Sequence, residues 1–326
     1  MTTVRSRIED NERTTLSERA VLSVASKGRD RGEPEDELRT CFQRDRDRVV
    51  HSKAFRRLAH KTQVFLAPEG DHYRVRLTHT LEVTQVARTI ARALALNEDL
   101  VEAICLGHDL GHTPFGHMGE ESVARFQPGF RHNLQSVRIV EVLEDLNLTW
   151  EVREGIANHT WSMPMPATLE GQIARYADRI AYLNHDIDDA IRAGILSEED
   201  LPATTRNVLG TGHRERINTM VRDLVRASEG SPDISMSPQV FESMGETREF
   251  LFERVYLGRV TPEVKEQVED IMSTLLHHFE ATLPAESEED PRTRSVDYVA
   301  GMTDRFAMRT FADLAGETDG GSGLLG

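Results

Sequence analysis

Residues Leu106 to Glu120 read LGHDLGHTPFGHMGE, and this run concentrates the side chains most able to do chemistry. His108, His112 and His117 stand there with Asp109 and Glu120, and His108 and Asp109 are adjacent. Imidazole and carboxylate together ligate divalent ions of intermediate hardness. A buried Asp beside a buried His is costly unless a cation or hydrogen bonds compensate it. Gly107, Gly111, Gly116 and Gly119 let backbone and ligand approach closely, and Pro114 breaks any helix running through. The chemistry indicated is that of a metal site.

The elements that must position these groups are helical. Leu77, Leu81, Val86, Ile90 and Leu94, with Ala87 and Ala91 beside them, recur at helical spacing and predict a helix carrying His79. Asn97 is the expected N-cap of a second helix, Glu98 to about Gly107, which runs into His108 and Asp109. A short helix is expected to restart near His117 or Gly119. Amphipathic segments follow at Asn133 to Leu146 and Trp150 to about Asn158. Thr168 can cap a long helix holding Ile173, Ile180, Ile187 and Ile191, closed by Gly194. His213 to Arg226 and Pro262 to Leu283 also read as helices, and alternating β patterns are scarce. The fold class expected is all-α, a helical bundle with additional C-terminal helices.

His79, His108, Asp109 and Asp178 therefore stand on three predicted helices, in the order H…HD…D. Two His and two Asp leave positions open on a six-coordinate ion for water and a ligand oxygen, and Mg²⁺, Mn²⁺ and Fe²⁺ all suit such a set. His117 and Glu120 are spaced i,i+3 and share a helix face if the helix starts at Gly116. A carboxylate near an imidazole raises its pKa, which suits a general acid, although a surface ion pair would have the same spacing. Asp178, Tyr182 and Asp186 fall at i, i+4 and i+8, on one side of a single helix.

The order of these residues resembles the HD superfamily of metal-dependent phosphohydrolases. More narrowly, FQRDRDRVVHSKAFRRLAHKTQVF (Phe42 to Phe65), HDLGHTPFGHMGE, FRHNLQSVRIVE (Phe130 to Glu141) and ADRIAYLNHDIDDA (Ala177 to Ala190) resemble the bacterial dGTPase-like deoxynucleoside triphosphate triphosphohydrolases. The resemblance covers about Arg39 to Gly194, with a weaker match in GHRERINTMVRDLV. It implies hydrolysis of a deoxynucleoside triphosphate at the α-phosphorus, with His79, His108, Asp109 and Asp178 as metal ligands. It implies that His117 faces the leaving oxygen or orients water, with Glu120 as partner. His112 and His132 resemble additional active-site histidines of the vertebrate SAM- and HD-domain relative, where an acidic residue stands in place of Asn133. Arg76 would contact the α-phosphate, and Gln63 would meet the sugar 3′-hydroxyl beside Tyr182 and Asp186. The family's dimer-based oligomers, often hexamers, suggest a homo-oligomer here.

The bulk of the chain narrows the alternatives. Lys and Arg total 39 against 55 Asp and Glu in 326 residues, a formal net charge of −16. Such a surface disfavours general binding to nucleic acid or anionic membranes. Against that background Arg39 to Lys61 is basic and could hold a polyphosphate or single-stranded DNA. Only Cys41 and Cys105 are present, which predicts no disulfide framework and fits a reducing cytoplasm. No secretory h-region or bilayer-length apolar run is expected to target the chain to a membrane. The organisation expected is a polar segment over 1–38, a phosphohydrolase core over 39–195, C-terminal helices over 196–314 packed on it, and a flexible tail over 315–326. Two rival functions stay open. One is an HD phosphohydrolase acting on a nucleoside monophosphate, a cyclic nucleotide or a guanosine tetraphosphate, and the other is a regulatory nucleotide or single-stranded-DNA binder.

Overall fold

The computed structural model describes residues 3–63, 74–256, 262–284 and 289–316. Its elements are helices, and the only β pairing among the described residues is an isolated bridge between Thr62 and Val75. The first helix, α1 (Val4–Thr15), is followed by an extended strap to Thr40, then α2 (Cys41–His51) and the short α3 (Lys53–Arg57). Next come α4 (Arg76–Ala93) and α5 (Glu98–Gly107), then α6 (Gly116–Phe126) and α7 (His132–Arg138). The series continues through α8 (Trp150–Asn158), α9 (Leu169–Arg192), α10 (His213–Ser228) and α11 (Pro238–Leu251). It ends with α12 (Pro262–Thr282), α13 (Pro291–Ala300) and α14 (Asp304–Ala315).

Local chemistry sets the boundaries that matter for the site. Asn97 accepts from the amides of Asp99 and Leu100, and Thr168 accepts from Gly171, so α5 and α9 begin at the expected caps. Gly194, at φ +66°, follows α9 where a left-handed residue is needed. α4 buries Val83, Val86, Ala87, Ile90 and Ala91, whereas Leu81, expected on the same face, is 50% exposed. Rotating the face toward Val83 is what turns His79 inward. The segment expected from Asn133 to Leu146 forms α7 and then a single wide turn, Ile139–Leu143.

Two apolar cores organise the molecule. The larger joins α2, α4, α5, α8 and α9 with α10 and α11, and α9 lies against α4, α5, α8, α10 and α11. The smaller gathers Val123 of α6, Phe115 before it, and Val268, Ile271, Met272, Leu275, Val296, Val299 and Ala307 of α12 to α14. Thus α6, which carries His117 and Glu120, packs on the C-terminal helices. No helix among the described residues is long and apolar enough to cross a membrane. Cys41 and Cys105 are free thiols. The tail beyond residue 316 lies outside the described residues.

The basic segment takes a different role from the one its composition suggests. Arg39 pairs with Asp36 and Asp47, Arg44 and Arg48 with Glu33, Arg46 with Asp47, and Arg57 with Glu144. Lys61 is buried and donates to the carbonyls of His112 and Ala300. These cations are spent on internal anions and carbonyls, and none of them lines the large cavity described next.

Candidate active site

The four expected ligands meet where α4, α5 and α9 converge. His79 Nε2 lies 3.1 Å from Asp178 Oδ1, and His108 Nε2 lies 3.8 Å from the same oxygen and 3.9 Å from Asp109 Oδ1. His79, His108 and Asp109 are each 2–3% exposed. His108 Nδ1 lies 2.6 Å from the Cys105 carbonyl, so it donates there and leaves Nε2 with its lone pair. That Nε2 is buried and has no hydrogen-bond partner. An orphaned imidazole nitrogen facing two carboxylates and a second imidazole is the donor set a divalent cation requires, so these residues fit a metal. Burial would raise the Asp109 carboxyl, but the Arg76 guanidinium 2.8 Å away and the neighbouring histidines hold it far below the carboxylate range. Asp178 is also lowered: burial opposes ionisation, and the neighbouring His79, His108 and His159 override it.

α7 locks the loop that presents these ligands. Ser136 Oγ donates to the His108 carbonyl and receives the Gly111 amide, each at 2.8 Å. A Cβ on Gly111 would lie 2.2 Å from the Ser136 backbone nitrogen, so only glycine allows the approach.

A second cluster surrounds Glu120. Its Oε1 lies 2.9 Å from His132 Nδ1 and accepts the His132 backbone amide at 2.8 Å. His117 Nδ1 and His112 Nε2 are 3.7 and 3.8 Å from Oε2. Glu120 therefore grips His132, and His117, expected as its close partner, stands farther off with its side chain 71% exposed. Burial disfavours the Glu120 carboxylate, but His132, His117 and His112 hold it far below its ordinary range. His132 shows the reverse: burial works against its charged form, and Glu120 outweighs burial to raise its pKa. Burial, then the charge of Arg76, keeps His112 neutral, and burial beside His108 and His132 lowers His159 to about 3. Asn133 donates to the Ala157 carbonyl at 2.5 Å, tying α7 to α8, and takes no part in this cluster.

Both clusters open on one cavity of about 900 Å³. Gln63, Arg76, Tyr182 and Asp186 line it with His79, Asp109, His112, His117, Glu120, His132 and Asp178. Buried Gln63 Oε1, Asp186 Oδ1 and Arg76 Nε and Nη2 have no protein partner, leaving a carboxyl, an amide and a guanidinium able to meet a ligand. Burial, then Asp189, raises the Asp186 carboxyl well above its ordinary value, and burial moves the Tyr182 phenol up to about 12. His159 and Trp161 also line the wall. Arg179, Arg248 and Lys265 do so too and were not singled out from sequence. Arg179 follows Asp178 directly and stacks its guanidinium 3.8 Å over Trp161, and only the fold brings Arg248 and Lys265 near it.

Comparison with known proteins places this geometry. Residues 76–183 match the HD domain and residues 234–313 the phosphohydrolase-associated domain. A deoxyguanosinetriphosphate triphosphohydrolase-like protein of Caldanaerobacter subterraneus is 53% identical over 324 residues, covering 95% of each chain. Proteins of the same name from Clostridium perfringens and Desulfatibacillum aliphaticivorans are each 47% identical and cover 94% and 96% of this chain, and 96% and 98% of their own. Among solved structures, a hypothetical protein from Aquifex aeolicus superposes with a TM-score of 0.50 at 22% identity, covering 82% of this chain and 67% of its own, a likeness of fold. With an HD domain matched over residues 76–183 and relatives matched nearly end to end, the chain belongs to the deoxyguanosinetriphosphate triphosphohydrolase-like family of HD-domain proteins.

Proposed function

We propose that this protein hydrolyses deoxynucleoside triphosphates at the α-phosphorus, releasing the deoxynucleoside and inorganic triphosphate. One observation carries the reading. A single cavity joins a metal-fitting His/Asp cluster, the unpartnered guanidinium nitrogens of Arg76, and the Tyr182–Asp186 face of α9. His79, His108, Asp109 and Asp178 would hold the divalent ion. Such an ion supplies a Lewis acid for a phosphoryl oxygen and lowers the pKa of water at neutral pH.

The chain's own residues supply the rest. Arg76 presents Nε and Nη2 to the α-phosphate, while Arg179, Arg248 and Lys265 give the more distal phosphates cationic partners along the wall. Gln63 and Asp186 offer hydrogen bonds to the sugar 3′-hydroxyl, and Tyr182 packs where a 2′-hydroxyl would project. The leaving 5′-oxygen is an alkoxide and gains from protonation, worth roughly 10²–10⁴ in rate. His117 is the donor in this reading. It stands at the cavity with Glu120 near it, and the Glu120–His132 pair keeps a proton close by.

The nucleoside monophosphate rival lacks an explanation for three further cationic side chains along the wall. The single-stranded-DNA reading loses support because Arg39, Arg44, Arg46, Arg48 and Arg57 pair internally. A dimer-based homo-oligomer belongs to the same proposal, on the family resemblance alone. The test is product analysis with each deoxynucleoside triphosphate and with GTP, in Mg²⁺, Mn²⁺ and Fe²⁺ separately. The expected result is equimolar triphosphate and deoxynucleoside, with GTP turned over far more slowly than dGTP. GTP hydrolysed as efficiently as dGTP would refute the Tyr182 pocket, and orthophosphate or a monophosphate product would refute the activity.

A further inference from the structure

On the edge of the His79 ring opposite Asp178 lies a set of groups that the reaction above does not use. His79 Nδ1 is 3.3 Å from His185 Nδ1, and His185 Nε2 is 2.8 Å from Glu82 Oε2. His79 and Glu82 stand one turn apart on α4, and His185 reaches them from α9. Arg74 fixes the outer end, with Nε 3.1 Å from Glu82 Oε2 and Nη1 2.7 Å from Asp189 Oδ1. His79 and His185 are each 2% exposed, so water does not replace these contacts.

Counting hydrogens along this chain determines the tautomers. An ionised Glu82 can only accept, so His185 carries its hydrogen on Nε2. His185 Nδ1 then holds a lone pair and can only accept from His79. His79 must therefore carry its hydrogen on Nδ1, and Nε2 keeps the lone pair that faces Asp178 and the donor cluster. The opposite tautomer of His79 would set two buried lone pairs against each other at 3.3 Å.

We propose that Glu82 and His185 are positioning residues for metal binding, a carboxylate–histidine relay that fixes the tautomer and ring orientation of His79. A ligand imidazole usually donates its second N–H directly to a carboxylate or carbonyl. Here an additional histidine is inserted, so the carboxylate can stand on a partly exposed face of α4 and still act on a buried ligand. His108 is oriented separately, by the Cys105 carbonyl. The proposal rests on the four residues above being metal ligands, so the experiment reads metal binding and includes a variant that tests that reading by itself.

The experiment strips the full-length protein of metal and titrates it with Mn²⁺, following free Mn²⁺ by electron paramagnetic resonance, with thermal melts to establish folding. His185→Ala is expected to weaken Mn²⁺ binding by about 10–100-fold. His185→Gln should recover much of that loss, because a carboxamide can accept from His79 and donate to Glu82. Glu82→Ala, at a side chain 42% exposed and so tolerant of truncation, should give a smaller loss. A folded His185→Ala that binds Mn²⁺ as tightly as the parent overturns the relay. So does a His185→Gln no better than His185→Ala, since packing and not hydrogen bonding would then be the cause. Asp109→Ala separates the two layers: if it too binds like the parent, the metal-ligand reading itself is wrong.

Discussion

His117 and Glu120 are i,i+3 in the sequence, yet the carboxylate closes on His132 at 2.9 Å and leaves His117 at 3.7 Å. Periodicity can state which residues share a helix face but not what another helix brings to that face. His117→Ala should lower kcat by about 10²–10⁴ while bound metal, measured by elemental analysis, stays at the parent level. A substrate analogue with a much better leaving group at the α-phosphorus should recover part of the loss; no recovery would mean that His117 orients water. Glu120→Gln acts through His132. The Glu120 carboxylate raises the His132 pKa, so its removal lets His132 lose its proton at lower pH. The high-pH limb of the rate profile should move toward neutrality, and an unmoved limb would take His132 out of the proton path. The Tyr182–Asp186 face was legible because its spacing is a property of a single helix, whereas the four proposed ligands stand on or at the end of three helices and were picked out by their order and the family resemblance. Arg248 and Lys265 were not, since they reach the cavity from segments distant in sequence.

At the scale of elements, a side chain of the C-terminal helices holds the loop that leads into α6 by its backbone amides. Asp304, at the start of α14, accepts the Phe115 amide at 3.1 Å and the Thr62 amide at 2.9 Å. Phe115 sits at φ +61°, a left-handed conformation that is costly for a bulky residue and persists only when its surroundings enforce it. Asp304→Ala leaves two amides without their acceptor, at about 1–3 kcal/mol each, and frees the start of α6. Urea denaturation should show a loss of about 2–6 kcal/mol, and kcat should fall with metal content unchanged. Full activity in Asp304→Ala would mean that α6 is positioned from elsewhere. Nothing in the sequence around residue 304 announces this role, because the partners are 189 and 242 positions away. Similarly α1, VRSRIEDNERTT, is too polar to show a buried face, and is held by Glu12 accepting from Ser23 and Asn97.

The strap after α1 provides a pH test of the same principle. Glu170 of α9 accepts the amides of Val21 and Asn97, and burial pushes its carboxyl up to about 7. Both folded and unfolded chains hold this proton below about pH 4.5, so the group has no effect on stability there. Between about pH 4.5 and 7 the unfolded chain ionises first, so stability falls as pH rises, and the full cost, about 3 kcal/mol, is present above pH 7. Glu170→Gln, which keeps an acceptor without a charge, should therefore gain about 1–3 kcal/mol at pH 8 and nothing at pH 4.5, read by urea denaturation. Equal stability of the two proteins at pH 8 would show that Glu170 is solvated.

Across the whole molecule, the acidic composition and the basic run at Arg39 to Lys61 suggested a separate anion-binding surface. The fold instead neutralises that run with Glu33, Asp36, Asp47 and Glu144, and places its available cations, Arg76, Arg179, Arg248 and Lys265, around the cavity. Net charge is a sum and does not show which charges a fold pairs. The proposed reaction has water attack the α-phosphorus and the bond to the 5′-oxygen break. Hydrolysis of dGTP in ¹⁸O-water, followed by ³¹P NMR and mass spectrometry of both products, tests this directly. The expected result is one solvent oxygen on a terminal phosphorus of the released triphosphate and none in the deoxyguanosine. Label in orthophosphate, pyrophosphate or a deoxynucleotide would contradict it, because attack would then have occurred at another bond.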